Sequence, residues 1–165
     1  MNIILIGFMG SGKTTIGKVL AKKKNLKFID TDDIIEKQQN LTIKDIFNNF
    51  GETYFRQLEK QAIEQLKDCK DCVISVGGGA VMYHNNLDIL KNTGITIFLD
   101  RPMQKILNNL KGKFRPLVGN TIDEDKLREL LDNRYPTYKK ADVILNTERL
   151  SIEQAVDEII NRLGL

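Results

Sequence analysis

Gly7-Phe8-Met9-Gly10-Ser11-Gly12-Lys13-Thr14 spells Gly-x-x-x-x-Gly-Lys-Thr, the pattern of a phosphate-binding loop. Its flanks are those the loop requires. Ile3-Ile4-Leu5-Ile6 before it is short, apolar and β-branched, as a buried strand is, and after it Ile16, Val19 and Leu20 recur at helical spacing. Glycines at 7, 10 and 12 let the backbone curl until successive N–H groups face one anion. The following helix adds the positive end of its dipole. The expected nucleotide-binding set is Gly10, Ser11, Gly12, Lys13, Thr14 and Thr15. Within it Lys13 reaches the β- and γ-phosphates of ATP, and the Thr14 hydroxyl is a ligand for Mg²⁺.

The rest of the composition narrows the class. At 165 residues, with 41% hydrophobic and 28% charged, the chain reads as one globular domain with room for a sizeable core. The net charge of +3 suits anionic substrates and does not by itself imply nucleic acid. The longest basic tract, Lys22-Lys23-Lys24, closes the first helix, where it complements the dipole. No apolar run approaches membrane-spanning length, and the apolar N-terminal stretch flows straight into the loop as a strand, not a signal peptide. A cytoplasmic monomer without membrane or nucleic-acid partners is the expectation. Cys69 and Cys72 form a C-x-x-C. A redox pair of that kind follows a strand and opens a helix, whereas Cys72 leads into Val73-Ile74-Ser75-Val76, so two incidental thiols are the favoured reading. With His84 the one histidine, zinc sites and most histidine-based catalysis are disfavoured.

Strands alternate with helices. The pattern predicts strands over Asn2–Ile6, Lys27–Ile29, Cys72–Val76, Thr96–Leu99 and Asp142–Leu145. Helices are predicted over Lys13–Lys24, Asp32–Gln38, Ile43–Phe50, Glu52–Lys67, Leu87–Asn92, Met103–Leu110, Glu124–Lys139 and Ile152–Leu163, with Ser151 and Gln154 as a capping box for the last. This is the α/β class: a parallel sheet with helices on both faces and ligands at the carboxyl ends of the strands. Two stretches break the rhythm. Residues from about 32 to 67 hold an insertion, long and helical from Leu41 on, suited to binding an acceptor. Residues 111–122, with Gly112, Pro116 and Gly119, read as a mobile lid that would exclude water from the γ-phosphate.

Two clusters point to that acceptor. Asp30-Thr31-Asp32 ends the second strand, and alternation along extended chain would aim both carboxylates into one cavity, with an N-cap role for one of them as the simpler reading. Gly77-Gly78-Gly79 is more glycine than a turn needs and implies a ligand against the backbone. Arg56, Arg134, Phe47 and Phe55 are not raised above surface or core residues by spacing alone: Ile43, Ile46, Phe47 and Phe50 make one helical stripe, Phe55, Leu58 and Ala62 another, both core by default.

Taken in order, these motifs resemble those of shikimate kinases: the loop at 7–14, Asp30-Thr31-Asp32, Phe47, Gly51-Glu52 and Phe55-Arg56, Gly77-Gly78-Gly79-Ala80-Val81, Arg115-Pro116-Leu117, and Arg134-Tyr135-Pro136-Thr137-Tyr138. The resemblance implies a three-layer P-loop fold, nucleoside-monophosphate-kinase-like, with a five-stranded parallel sheet. It implies Mg²⁺-dependent transfer of the γ-phosphate of ATP to the 3-hydroxyl of shikimate, on the way to chorismate and the aromatic amino acids. Position by position, Asp32 would hold the acceptor hydroxyl, Arg56 and Arg134 its carboxylate, Gly77, Gly78 and Gly79 would supply backbone N–H groups, and Phe47 and Phe55 would wall the ring. Asp30 would stand with Thr14 at the metal. Arg115 would reach the transferring phosphate from the lid and count, with Lys13 and Asp32, as catalytic. The chain departs from the family where an arginine commonly lies against adenine: here that segment is Leu107-Asn108-Asn109-Leu110, followed by Lys111 and Lys113. A kinase of gluconate or of a nucleoside monophosphate is the nearest rival, although Asp32 would repel a phosphate acceptor. A module that only senses ATP is a rival of another class, and it would have no use for Asp32, Arg56 and Arg134 together.

Overall fold

The computed structural model describes residues 1–110 and 123–165; the expected lid over 111–122, Arg115 included, lies outside the described residues. Five strands, β1 (Ile3–Ile6), β2 (Lys27–Asp30), β3 (Cys72–Ser75), β4 (Ile95–Asp100) and β5 (Val143–Asn146), form a wholly parallel sheet in the order β2-β3-β1-β4-β5. The helices are α1 (Lys13–Lys24), α2 (Thr31–Gln39), α3 (Ile43–Glu64), α4 (Asn86–Thr93), α5 (Met103–Leu110), α6 (Glu124–Tyr138) and α7 (Ile152–Leu163). The first strand sits at the centre, so its four residues are buried on both faces, which is why they read as an unbroken apolar run. Ile3 and Leu5 face one core with α1 and α7, where Ile16, Leu20, Val156 and Ile159 meet them. Ile4 and Ile6 face the other, with Phe8, Phe98, Ile106, Leu127 and Tyr138. A third, smaller core (Ile35, Ile46, Phe55, Leu58, Ala62) holds α2 against α3 and so rigidifies the insertion.

Two expectations need correction, the strand geometry of Asp30 and Asp32 and the core place of Phe50. The second strand stops at Asp30, and Thr31 and Asp32 already belong to α2, so strand alternation is not what brings the two carboxylates together. Asp30 is the N-cap: its Oδ1 accepts the Asp32 N–H at 3.0 Å. The helices predicted on either side of Gly51 are both present: α3 is two helical runs that meet at that glycine, whose backbone is not helical (φ 83°, ψ 178°), and beyond Glu64 the second run tightens into a 3₁₀ turn over Gln65–Asp68. The kink also turns Phe50 out of the core. It is 53% exposed and stacks on Tyr54 with ring centroids 4.8 Å apart. Cys72 is buried at the start of β3, and neither it nor Cys69 is in a disulfide.

Candidate functional site

A cavity of about 650 Å³ opens above the carboxyl ends of β1, β2 and β3. One wall is the loop between β1 and α1. Gly10 and Gly12 take positive φ (72° and 94°), which is what the curl of the loop demands. Lys13 is 9% exposed, and its Nζ donates to the Gly7 carbonyl at 2.8 Å and the Phe8 carbonyl at 2.9 Å, so the cation is held inside the loop's own ring. Helix α5 braces the loop from behind, where Asn109 Nδ2 donates to the Gly10 carbonyl at 2.9 Å. Thr14 and Thr15 stand exposed at the start of α1 and line the cavity, as do Gly10, Gly12 and Lys13; Ser11 is buried in the loop.

Beside the loop lies a cluster of oxygen atoms. The Thr14 hydroxyl donates to Asp30 Oδ2 at 2.9 Å and has the Ser75 hydroxyl 3.5 Å away. Asp32, two residues on, is half-buried, yet its Oδ1 is shut off from water with no hydrogen-bond partner. Burial first, then the charges of Asp30 and Glu59, push its pKa from 3.8 up to about 7, while Lys13 pulls the other way. A carboxyl of that kind is poised to accept a proton near neutral pH. Mg²⁺ prefers a few protein oxygens and keeps its remaining positions for water and phosphate. Thr14 and Asp30, already in contact, match that donor set. Among the described residues no three His, Cys, Asp or Glu side chains gather into a cage for a metal.

The opposite wall belongs to α3, α6 and the glycine run. Arg56 and Arg134 are 6% and 4% exposed, so neither is the surface residue that spacing alone would make it. Their guanidinium groups converge on Gly79: a Cβ there would lie 2.7 Å from both Nη atoms of Arg56 and 2.9 Å from Nη2 of Arg134. A Cβ on Gly77 would lie 2.7 Å from Glu59 Oε2 and 3.1 Å from Asp32 Oδ1. The missing side chains thus make room for the protein's own charged groups. The Gly77 N–H is also committed, donating to the Thr31 hydroxyl at 3.1 Å, which leaves Gly78 and Gly79 as the N–H groups to weigh for a ligand. Gly78 is anchored from below, where the buried Tyr138 hydroxyl donates to its carbonyl at 2.5 Å. Burial raises the pKa of that phenol to about 12, so it stays a donor.

Arg56 is fixed on every side. Its Nη1 donates to Glu59 Oε1 at 2.5 Å, its Nε and Nη2 reach Glu52 Oε1 at 3.3 and 3.2 Å, and it lies 4.4 Å from the centre of the Tyr83 ring. Burial works against its charge, but Glu59 and Glu52 outweigh that and raise its pKa; burial raises that of Glu59. Arg134 sits 5.7 Å from the centre of the Phe8 ring. Phe47 and Phe55 both line the cavity and pack on one another at 4.7 Å. Every expected site residue within the described range therefore lines this cavity except Ser11, which lies in the loop behind it. Sequence reasoning missed Glu59, Ser75 and Arg101, which line it too. Glu59 had a legible signal, an acid one turn after Arg56 on the buried stripe of α3. Ser75, inside an apolar strand, had none.

A profile of the family described as "Shikimate kinase" matches residues 9–164. A shikimate kinase of Thermoanaerobacter pseudethanolicus is 44% identical over 161 residues, 96% of this chain and 94% of the relative. One from Sulfurihydrogenibium sp. is 40% identical over 163 residues, 98% and 97% of the two chains. Among solved structures, shikimate kinase from Acinetobacter baumannii in complex with shikimate superposes with a TM-score of 0.93 at 35% identity, covering 99% of this chain and 92% of that one.

Proposed function

The chain belongs to the shikimate kinase family, and from that premise we infer that it phosphorylates shikimate with ATP as donor. We propose that the accepting oxygen is the 3-hydroxyl and that the cavity above β1, β2 and β3 holds both substrates, the triphosphate on the loop wall and shikimate on the wall of Arg56 and Arg134. One observation carries this reading: two buried guanidinium groups meet over Gly79 across the same cavity from Lys13, with the Asp32 carboxyl lining it as well.

Each part has a task suited to its chemistry. The loop amides and Lys13 hold the β- and γ-phosphates and spread the charge that builds on the phosphoryl oxygens. Arg56 and Arg134 present forks that match a planar carboxylate and fix the orientation of the ring, while Phe47 and Phe55 take its apolar side. The amides of Gly78 and Gly79 offer donors beside it. Asp32 orients the acceptor hydroxyl and takes its proton late, since a loose transition state needs little help from a base before the bond to the leaving group is largely broken. Mg²⁺, held by Thr14 and Asp30 through oxygen, would neutralise charge between the β- and γ-phosphates when bound. None of the helices among the described residues is long and apolar enough to cross a membrane.

The test is ADP release with Mg²⁺ and ATP when shikimate, gluconate and AMP are offered side by side, followed by identification of the phosphorylated carbon by NMR. Release with shikimate alone, and phosphate on C3, is the expected result. Preference for gluconate or AMP would remove the acceptor reading and leave the nucleotide loop standing.

A further inference from the structure

Arg101 is the first residue after β4, and nothing so far gives it a task. Its neighbour Asp100 ties down the segment after β5, its carbonyl accepting the Thr147 N–H at 2.9 Å and the Thr147 hydroxyl at 3.2 Å. Beside that pairing lies a second cavity, of about 290 Å³, whose walls include Ile16, Arg101, Thr147, Leu150 and Ile152. Ile16, Arg101 and Ile152 line the first cavity as well, so Arg101 stands in the partition between them. Its Nη1 comes within 3.8 Å of where a Cβ on Gly12 would be, at the start of α1. Its Nε is shut off from water and has no acceptor among the described residues. The obvious partner is taken: the Asp100 carboxylate receives the Tyr135 hydroxyl at 2.8 Å. A buried donor without an acceptor is costly, and such groups are rare outside sites where something else supplies the acceptor.

Resting on the reading of this chain as an ATP-dependent kinase, we propose that Arg101 binds the nucleoside end of the donor, laying its flat guanidinium against the purine in the second cavity and giving Nε–H to an acceptor on the nucleoside. The choice of nucleoside over phosphate follows from the walls. Lys13, Thr14 and Asp30 line the first cavity only, whereas the second is bounded, Arg101 apart, by neutral side chains. A guanidinium in a neutral, partly apolar slot suits a planar heteroaromatic ring, through its face and through its rim donors.

The test compares Arg101→Gln and Arg101→Lys with the parent, using ADP and inorganic tripolyphosphate as probes, each with Mg²⁺. Binding of ADP is followed by calorimetry and that of tripolyphosphate by its displacement of ADP; neither needs the acceptor, so failure of the shikimate reading would not be mistaken for failure here. The expected result is an ADP dissociation constant raised about tenfold in both variants. Tripolyphosphate binding should stay within about twofold, and KM for ATP should rise while kcat at saturating ATP is kept. Unchanged ADP affinity overturns the proposal, as does an equal weakening of tripolyphosphate, which would make Arg101 a phosphate ligand. Thermal melting checks folding, and Arg101→Lys, which keeps the charge and most of the stem, carries the same expectation by itself if Arg101→Gln does not fold.

Discussion

The two walls of the main cavity are built from different materials. The donor wall is mostly main chain: glycines, N–H groups, a helix start, and one cation held by the loop's own carbonyls. The acceptor wall is mostly buried side-chain charge: Arg56, Arg134, Glu59 and Asp32, drawn from three helices and meeting over glycines. Main-chain dipoles are neutral in sum, so they can be aimed at an anion without a large desolvation cost. Buried charges hold one another in place and are costly when any one of them is changed. The donor wall should therefore lose chemistry without losing fold, and the acceptor wall should lose both together.

The largest effect that separates them is expected from Lys13→Ala. Turnover should fall at least about 10²-fold, as on removing one donor to the transition state, with little change in melting temperature. Full turnover in that variant, measured as ADP release, would break the donor half of the comparison. Next in size is Arg56→Lys, which keeps the charge but loses the fork. We expect KM for shikimate to rise about 10- to 100-fold, by loss of roughly 2 kcal/mol of charged hydrogen bonding, with ADP binding within about twofold. The melting temperature should also drop, because Glu59, 1% exposed, loses its 2.5 Å partner. Equal weakening of shikimate and ADP would erase the distinction between the walls.

A smaller effect tests how the glycine run is aimed. Tyr138→Phe removes the hydrogen bond to the Gly78 carbonyl while keeping the ring stacked on Phe98 at 5.0 Å. The cost should be about 1 kcal/mol in stability together with a few-fold rise in KM for shikimate. Turnover at saturation should be unchanged, and a change in kcat alone would place Tyr138 in the donor wall instead.

The same contrast explains what could be read in advance. Residues 7–14 carry the donor wall in eight consecutive letters, and the central strand and first helix beside them follow from the same stretch. The acceptor wall is assembled from residues far apart in the chain, at 32, 56, 59, 77–79 and 134, and only the fold makes them neighbours. Arg56 and Arg134 were legible through family resemblance and not through spacing, because an arginine on a helix is usually exposed. Asp30 and Asp32 were found by the wrong geometry. The helix begins one residue earlier than alternation supposes, and capping, not pleating, sets their mutual orientation. Ser75 and Arg101 had no signal at all, since their roles depend on what packs around the ends of β3 and β4.

Asp32 offers the finest test, because it opposes function to stability inside the acceptor wall. Its pKa in the fold is about 7, pushed up first by burial and then by Asp30 and Glu59, against an ordinary value of 3.8. The fold thus binds this proton more tightly than the unfolded chain does, and by linkage ionising Asp32 weakens the fold as pH rises from about 4 to 7. Above 7 the penalty is complete; below 4 both states carry the proton and it vanishes. Asparagine fills the same space and cannot ionise. Asp32→Asn should therefore melt higher than the parent at pH 8, by about 1–3 kcal/mol of relieved burial or at least ~2 °C, and the gain should shrink toward zero near pH 4. The melts are run without metal or nucleotide, whose binding would shift both curves. A gain equal at both pH values would trace the effect to packing, and a loss at pH 8 would mean that the carboxylate already has a partner in the fold, so that the acceptor wall is no more burdened by its charge than the donor wall.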